Sequence, residues 1–285
     1  MTRREEWAEA LDEARSGGAT VGLVPTMGAL HGGHLSLVRR AAATTATVAV
    51  SVYVNPLQFG RDEDLARYPR DLERDVAVAT AAGAQLVFAP EAGEMWPEAP
   101  ATTVHVRGIT EPFEGEARPG HFDGVATIVT KLLSLSGRCL AFFGEKDFQQ
   151  LAVVRRLVRD LSLPVEVVGC PTVRDADGLA LSSRNAYLAP AERAAAPRVY
   201  AALLAGRRAV EGRGARRPGE VEAAMAAVLA DDPRFALDYA AVVRPDDLSV
   251  PTVVAGEVRL LVAARLGGTR LVDNLPARSP HPEGP

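Results

Sequence analysis

The chain has 285 residues, 47% of them hydrophobic, and a formal net charge of −4. Such a length and apolar content supply one large or two ordinary domains and exclude a disordered chain. The acid balance leaves no global basic field for a polyanion such as tRNA, so nucleic acid is not an expected partner.

Met1 to Gly18 mixes acidic residues with helical spacing at Trp7, Ala10, Leu11 and Ala14, which predicts a helix rather than a basic-then-apolar secretory signal. No apolar run approaches the roughly 18 residues of a membrane span. A soluble protein with no membrane partner is expected. Cys139 and Cys170 stand far apart in apolar surroundings and read as buried reduced thiols of a cytoplasmic protein, not as a disulfide framework.

From Thr20 to Gly169 apolar runs alternate with helix-period segments. The predicted strands are Val21 to Pro25, Val48 to Val54, Leu86 to Ala89, Thr103 to Val106, Leu140 to Phe143 and Val165 to Val168. The helices between them are His34 to Thr44, Asp71 to Ala82, Gly124 to Ser136 and Phe148 to Leu161. Continuous apolar strands alternating with amphipathic helices predict a doubly wound parallel sheet covered on both faces. After Pro171 a polar loop leads into two alanine-rich helices, Pro190 to Gly212 and Pro218 to Ala230. Strand candidates follow at Phe235 to Val243, Val258 to Leu266 and Arg270 to Asp273. The expected fold is thus α/β, with a Rossmann-like N-terminal domain over 1–172 and a smaller C-terminal α+β lid domain over 173–275. A hinge loop spans 173–189, and the Pro-, Ser- and Gly-rich tail over 276–285 is expected to be disordered.

Five segments carry chemistry. In Pro25-Thr-Met-Gly-Ala-Leu-His31-Gly-Gly-His34 a strand end, a glycine turn and a helix start bring free backbone N–H groups and the positive helix end together, which suits nucleotide phosphates. His31 and His34, three apart, would point the same way. The same spacing would suit zinc, but zinc needs further ligands that no nearby histidine or cysteine supplies, and two structural histidines are the third reading. Asn55-Pro-Leu-Gln58-Phe59 puts two of the chain's seven Asn and Gln residues at a strand's carboxyl end, where open α/β sheets bind ligands; a plain turn is the alternative.

Gly144-Glu-Lys146-Asp147-Phe-Gln-Gln150 repeats the strand, turn and helix start. It holds one of only two lysines in a chain with 30 arginines. A lysine retained against such a bias serves where a compact ammonium is needed, for instance to neutralise phosphate charge in a transition state. The alternative is a surface cluster capping the helix. Lys131, the other lysine, reads as an ordinary exposed charge. The loop from Arg174 to Asn185, with Ser182, Ser183 and Arg184, would close over a triphosphate or serve only as a linker hairpin. In Arg118-Pro-Gly-His121-Phe122, Arg118 and His121 either face an anion or order the loop. His105 and His281 look like a strand residue and a tail residue.

In order and spacing, these segments with Ser182-Ser-Arg-Asn185 resemble the pantothenate synthetase family from about residue 20 to 275. The H-x-G-H element alone marks only the wider nucleotidyltransferase superfamily. The resemblance implies an ATP- and Mg2+-dependent ligation of pantoate and β-alanine through pantoyl adenylate, with release of pyrophosphate and then AMP, by a cytoplasmic homodimer. Another H-x-G-H nucleotidyltransferase or a non-enzymatic nucleotide-binding module are the rival readings. The resemblance further implies an ATP site of Met27, Gly28, Ala29, Leu30, His31, Gly32, Gly33 and His34, then Gly144, Glu145, Lys146 and Asp147, then Val173, Leu181, Ser182, Ser183 and Arg184. His34 would be the proton donor, with His31, Lys146, Ser182, Ser183 and Arg184 also catalytic. Gln58 and Gln150 would hold pantoate, with Asn55, Arg118 and Tyr68 as further substrate contacts. Leu181 stands where the family often has Met, a replacement of similar volume.

Overall fold

The apolar runs of the first half form the parallel sheet they predict. In the computed structural model, which describes residues 1–60 and 64–280, the contacts divide into two units. One comprises Met1–Glu145 and Gln149–Pro171, the other Lys146–Phe148 and Thr172–Pro285.

The first unit runs α1 (Arg4–Ser16), β1 (Val21–Thr26), α2 (Gly32–Ala42), β2 (Thr47–Val52), α3 (Leu72–Ala81), β3 (Leu86–Phe88), α4 (Ala92–Met95), α5 (Glu114–Ala117), α6 (His121–Ser136), β4 (Cys139–Gly144), α7 (Phe148–Asp160) and β5 (Val165–Cys170). The strand order is β3-β2-β1-β4-β5, all parallel. Chain order therefore reverses between β1 and β4, the topological switch point where such sheets bind ligands beyond the strands' carboxyl ends. β1 pairs with β2 from Val21 to Thr26 but with β4 only at Gly22 and Leu23. The carboxyl ends of β1 and β4 are thus left unpaired with each other. On one face Val24, Leu37, Val38, Val50 and Ala79 pack into a common core. On α1, Trp7 is fully buried, stacks on Phe88 at 5.1 Å and donates from Nε1 to Ser136 Oγ at 3.2 Å.

The second unit contains α8 (Pro190–Ala195), α9 (Arg198–Glu211), α10 (Pro218–Ala230), β6 (Phe235–Val243), β7 (Glu257–Leu266) and β8 (Thr269–Arg278). The three strands form an antiparallel sheet in the order β6-β7-β8. Val258, Leu260, Val262, Ala264 and Leu266, at the two-residue period of one sheet face, join Val199, Leu203 and Met225 of the helices in one core.

Four expectations need correction. Thr103 to Val106 forms no strand: Val104 N–H donates to Thr127 Oγ1 on α6, and His105 Nδ1 lies 2.7 Å from Asp123 Oδ1. Helical side chains take the bonds a sheet neighbour would supply. The chain from 276 is also ordered as far as 280, because β8 continues to Arg278 and Ser279 N–H reaches Gly256 O at 2.8 Å. Pro276 is tolerated there since β8 is an edge strand; residues 281–285, including His281, lie outside the described residues. Lys131 is half-buried, donates to Met95 O and stands 4.1 Å from the Trp96 ring centre. Burial pushes its ammonium below the ordinary lysine range, helped by Arg4 and opposed by Glu94. Finally, Lys146–Phe148 pack with the second unit, since Asn274 Nδ2 donates to Lys146 O at 2.7 Å and Arg259 lies 4.0 Å over the Phe148 ring.

Both cysteines are buried, and burial raises the Cys170 thiol and pushes Cys139 up to about 12. Only the thiolate is nucleophilic. A thiol reagent such as dithionitrobenzoate is therefore expected to label neither in the native protein at neutral pH and both in denaturant, read by absorbance. Rapid labelling of the folded protein would contradict the burial.

Candidate functional site

Beyond the carboxyl end of β1 the chain turns at Gly28 (φ +85°) and Ala29 (φ +51°) before α2 begins. A Cβ on Gly28 would lie 2.9 Å from Asp75 Oδ2 and 3.1 Å from Val52 Cγ1, so both space and backbone require glycine. His31 is the N-cap of α2, and its Nδ1 accepts the Gly33 N–H at 3.1 Å. His34 returns the bond, its Nδ1 accepting the His31 N–H at 3.4 Å. The two half-buried rings lie 4.1 Å apart, tilted by 36°. A neutral imidazole that accepts at Nδ1 carries its proton on Nε2. Each ring thus carries its donor at Nε2, a group whose chemistry suits a phosphate oxygen.

The backbone plays a smaller part than expected. Gly28 N–H donates to Thr26 Oγ1 at 3.2 Å, Ala29 N–H to Asp75 Oδ2 at 2.8 Å and Leu30 N–H to Asp75 Oδ1 at 2.7 Å. With His31 and Gly33 engaged by the rings, the loop's amides are largely satisfied from within. The amides of residues 28 to 31 and Gly33 are thus committed within the fold, and the two imidazoles stand at the loop's end. Among the described residues no group of three His, Cys, Asp or Glu is placed to hold a metal ion.

Beyond β2, Asn55 caps a short 3-10 turn over Pro56–Gln58. Asn55 is 1% exposed; its Nδ2 donates to Gln58 Oε1 at 3.2 Å and to Gly124 O at 3.1 Å, while Oδ1 accepts Leu57 N–H at 3.4 Å. Its hydrogen-bonding groups are engaged within the fold, and it serves to orient Gln58, whose Nε2 lies 3.0 Å from Met27 Sδ. Gly124 permits the approach of α6: a Cβ there would stand 2.2 Å from Leu57 O. Behind this turn His121 Nδ1 lies 2.8 Å from Gln58 O, and Arg118 Nη1 lies 3.0 Å from His121 Nε2. Arginine always donates, so His121 accepts at Nε2 and donates from Nδ1 to Gln58 O. This chain of bonds ties Arg118 and His121 to the turn that carries Gln58. Tyr68 is 5% exposed, with its ring edge-on to Phe59 at 6.0 Å.

Gly144 ends β4 at the switch point, and Glu145 opens a 3-10 turn over Glu145–Asp147. Of the two glutamines that follow, Gln149 is buried, donating from Nε2 to Ile109 O and Pro112 O and accepting Glu114 N–H at Oε1. Gln150 is half-buried with its amide uncommitted among the described residues, so it is the member of the pair available to a ligand. In the second unit the Lys146 ammonium lies 3.3 Å from Asp147 Oδ1. The segment from Val173 to Leu181 is a hairpin, a form the sequence left open for it: Leu181 N–H donates to Val173 O at 2.9 Å and Arg174 bridges Ala180. Ser182 Oγ accepts Arg184 N–H at 3.3 Å as the cap of a 3-10 turn over Ser183–Tyr187. Arg174 grips Asp273 with both Nη atoms, at 2.5 and 2.9 Å, and stacks on Tyr200 at 4.0 Å.

Asp75 escaped the sequence reading. A signal was present: it lies on the buried face of α3 in line with Ala79 and Ala82, a charge in an apolar stripe.

Comparison with known proteins adds to this geometry. A family model described as pantoate-beta-alanine ligase matches residues 1–276. The pantothenate synthetase of Deinococcus radiodurans is 55% identical over 262 residues, covering 90% of this chain and 93% of that one. That of Thermus thermophilus is 55% identical over 259 residues, covering 90% and 92%. The crystal structure of the Thermus thermophilus protein superposes with a TM-score of 0.91 at 51% identity, covering 96% of this chain and 98% of that one. A Francisella tularensis pantoate-beta-alanine ligase complexed with beta-gamma ATP and β-alanine superposes with a TM-score of 0.79 at 28% identity, covering 96% of each.

Proposed function

The chain belongs to the pantoate–β-alanine ligase family, and from that premise we propose that it joins pantoate to β-alanine through pantoyl adenylate, releasing pyrophosphate and then AMP. A carboxylate at neutral pH is a poor electrophile, which is why ATP is required. In the first step a pantoate carboxylate oxygen bonds to the α-phosphorus and pyrophosphate departs. In the second the amine of β-alanine attacks the acyl carbon, AMP leaves and the amine sheds a proton. The observation that carries this reading is the placing of two Nε2–H donors beyond β1 and an oriented amide, Gln58, beyond the neighbouring β2.

His34 and His31 are assigned to the phosphates, with donors fixed before charge develops on the leaving pyrophosphate. Met27 to His34, Gly144 to Asp147, Val173 and Leu181 to Arg184 are assigned to ATP, with the Lys146 ammonium and the Arg184 guanidinium neutralising phosphate charge. Gln58 and Gln150 are assigned to pantoate. Asn55, Arg118 and Tyr68 are assigned as further substrate contacts, Asn55 also holding Gln58 directly and Arg118 through His121. Magnesium would be carried by the triphosphate oxygens, whose charge it would offset, since this ion binds largely through substrate phosphates. We place the protein in the cytoplasm as a homodimer. No helix among the described residues is long and apolar enough to cross a membrane.

The test is to supply magnesium, ATP and pantoate with and without β-alanine and follow pyrophosphate, AMP and product by mass. Pantothenate and AMP are expected only with β-alanine present. ATP binding without turnover would return the protein to the non-enzymatic reading.

A further inference from the structure

We infer that Asp75 is a positioning residue that decides which groups of the β1–α2 loop face the nucleotide; the inference rests on the functional reading above. Asp75 is 1% exposed, and each carboxylate oxygen takes one of two consecutive amides, Ala29 and Leu30. Successive N–H groups converge in this way when one residue is left-handed, as Ala29 is at φ +51°. Such a concavity is a general anion site. Here a carboxylate of the protein occupies it, so the concavity is closed to an external phosphate.

Two further contacts fix the loop to the same helix. Arg74 Nη1 donates to Leu30 O at 3.2 Å and stands 3.8 Å from Asp75 Oδ1. Adjacent residues of α3 therefore hold both the N–H and the carbonyl of Leu30, the residue that precedes His31. Burying a carboxylate is unfavourable unless it is fully hydrogen-bonded. A capping role alone does not call for it, because α3 already has Asp71 as its N-cap, with Oδ1 accepting Arg74 N–H at 3.1 Å. The arrangement has one evident product: a rigid turn that sets the two imidazole rings and withholds the Ala29 and Leu30 amides.

Asparagine at position 75 has one acceptor for two N–H donors and turns its own NH2 against one of them. The turn should shift and carry His31 and His34 with it. Misplacement by about an ångström costs on the order of a hundredfold in a positioned reaction. We expect Asp75→Asn to slow pyrophosphate release about thirtyfold or more, with amide formation from supplied pantoyl adenylate changed by less than about twofold. Arg74→Ala, at a side chain 55% exposed, should slow the same half-reaction by a smaller factor. Equal losses in both half-reactions would show a merely structural role and overturn the inference. If Asp75→Asn does not fold, Arg74→Ala decides, and an unchanged rate of pyrophosphate release overturns it. Should the wild-type protein itself release no pyrophosphate, the functional reading fails. Positioning is then judged by the ring 1H–15N resonances of His31 and His34, which move in Arg74→Ala or Asp75→Asn if it holds and stay if it does not.

Discussion

His34→Ala is expected to slow pyrophosphate release from ATP and pantoate by about a hundredfold to a thousandfold while the protein remains folded. Removing one preorganised donor from a developing oxyanion typically costs about 3 to 4 kcal/mol, which is that range of rate. The fold should tolerate the change because His34 is half-buried at the start of α2 and its Nδ1 accepts the His31 N–H at a long 3.4 Å. Loss of a helix-capping acceptor costs about 1 kcal/mol. Single-turnover measurement of pyrophosphate, beside a thermal melt, separates chemistry from stability. A melt within a few degrees of wild type together with a near-normal rate would remove His34 from the mechanism.

Arg174→Ala should destabilise the second unit by about 3 to 5 kcal/mol, the usual consequence of stripping one partner from a buried ion pair. The side chains of Arg174 and Asp273 are only 14% and 4% exposed, and both guanidinium Nη atoms bond the carboxylate. Removing the arginine leaves Asp273 charged and without its counter-ion, and also unstacks the Tyr200 ring. The hairpin that presents Ser182 to Arg184 loses its anchor, so activity should fall with stability. The control is the double replacement Arg174→Met with Asp273→Leu. Because the desolvation penalty disappears with both charges, it should recover most of the lost stability in urea unfolding. A double variant no more stable than the single one would show that the pair is not the source of the effect.

Much of this protein was legible in one dimension. Apolar runs mark β1, β2, β4 and β5 to within about two residues, because the inner strands β1, β2 and β4 are largely buried and need mostly apolar side chains. Period-two alternation marks β7 in the same way. The histidine pair three residues apart, and the amides at the end of β2, are local patterns, and local patterns survive in sequence.

What sequence alone determined, then, is what depends on neighbours along the chain: the α/β class, the H-x-G-H turn, the amide turn, and through their order and spacing the family. Only the tertiary structure decided how those groups are held. Nothing local distinguishes Gln149, engaged by three backbone groups around residues 109 to 114, from Gln150, whose amide is uncommitted. Nothing local shows that Asn55 grips Gly124, 69 positions on, or that Asp75 holds amides 45 and 46 positions back. Likewise Thr103 to Val106 has a strand's composition without a strand's neighbour, and Pro276 is accepted because β8 lies at a sheet edge. The physical reason is common to all of them: a buried polar group must find its partner wherever the fold brings one within hydrogen-bond distance, and sequence separation does not measure that distance.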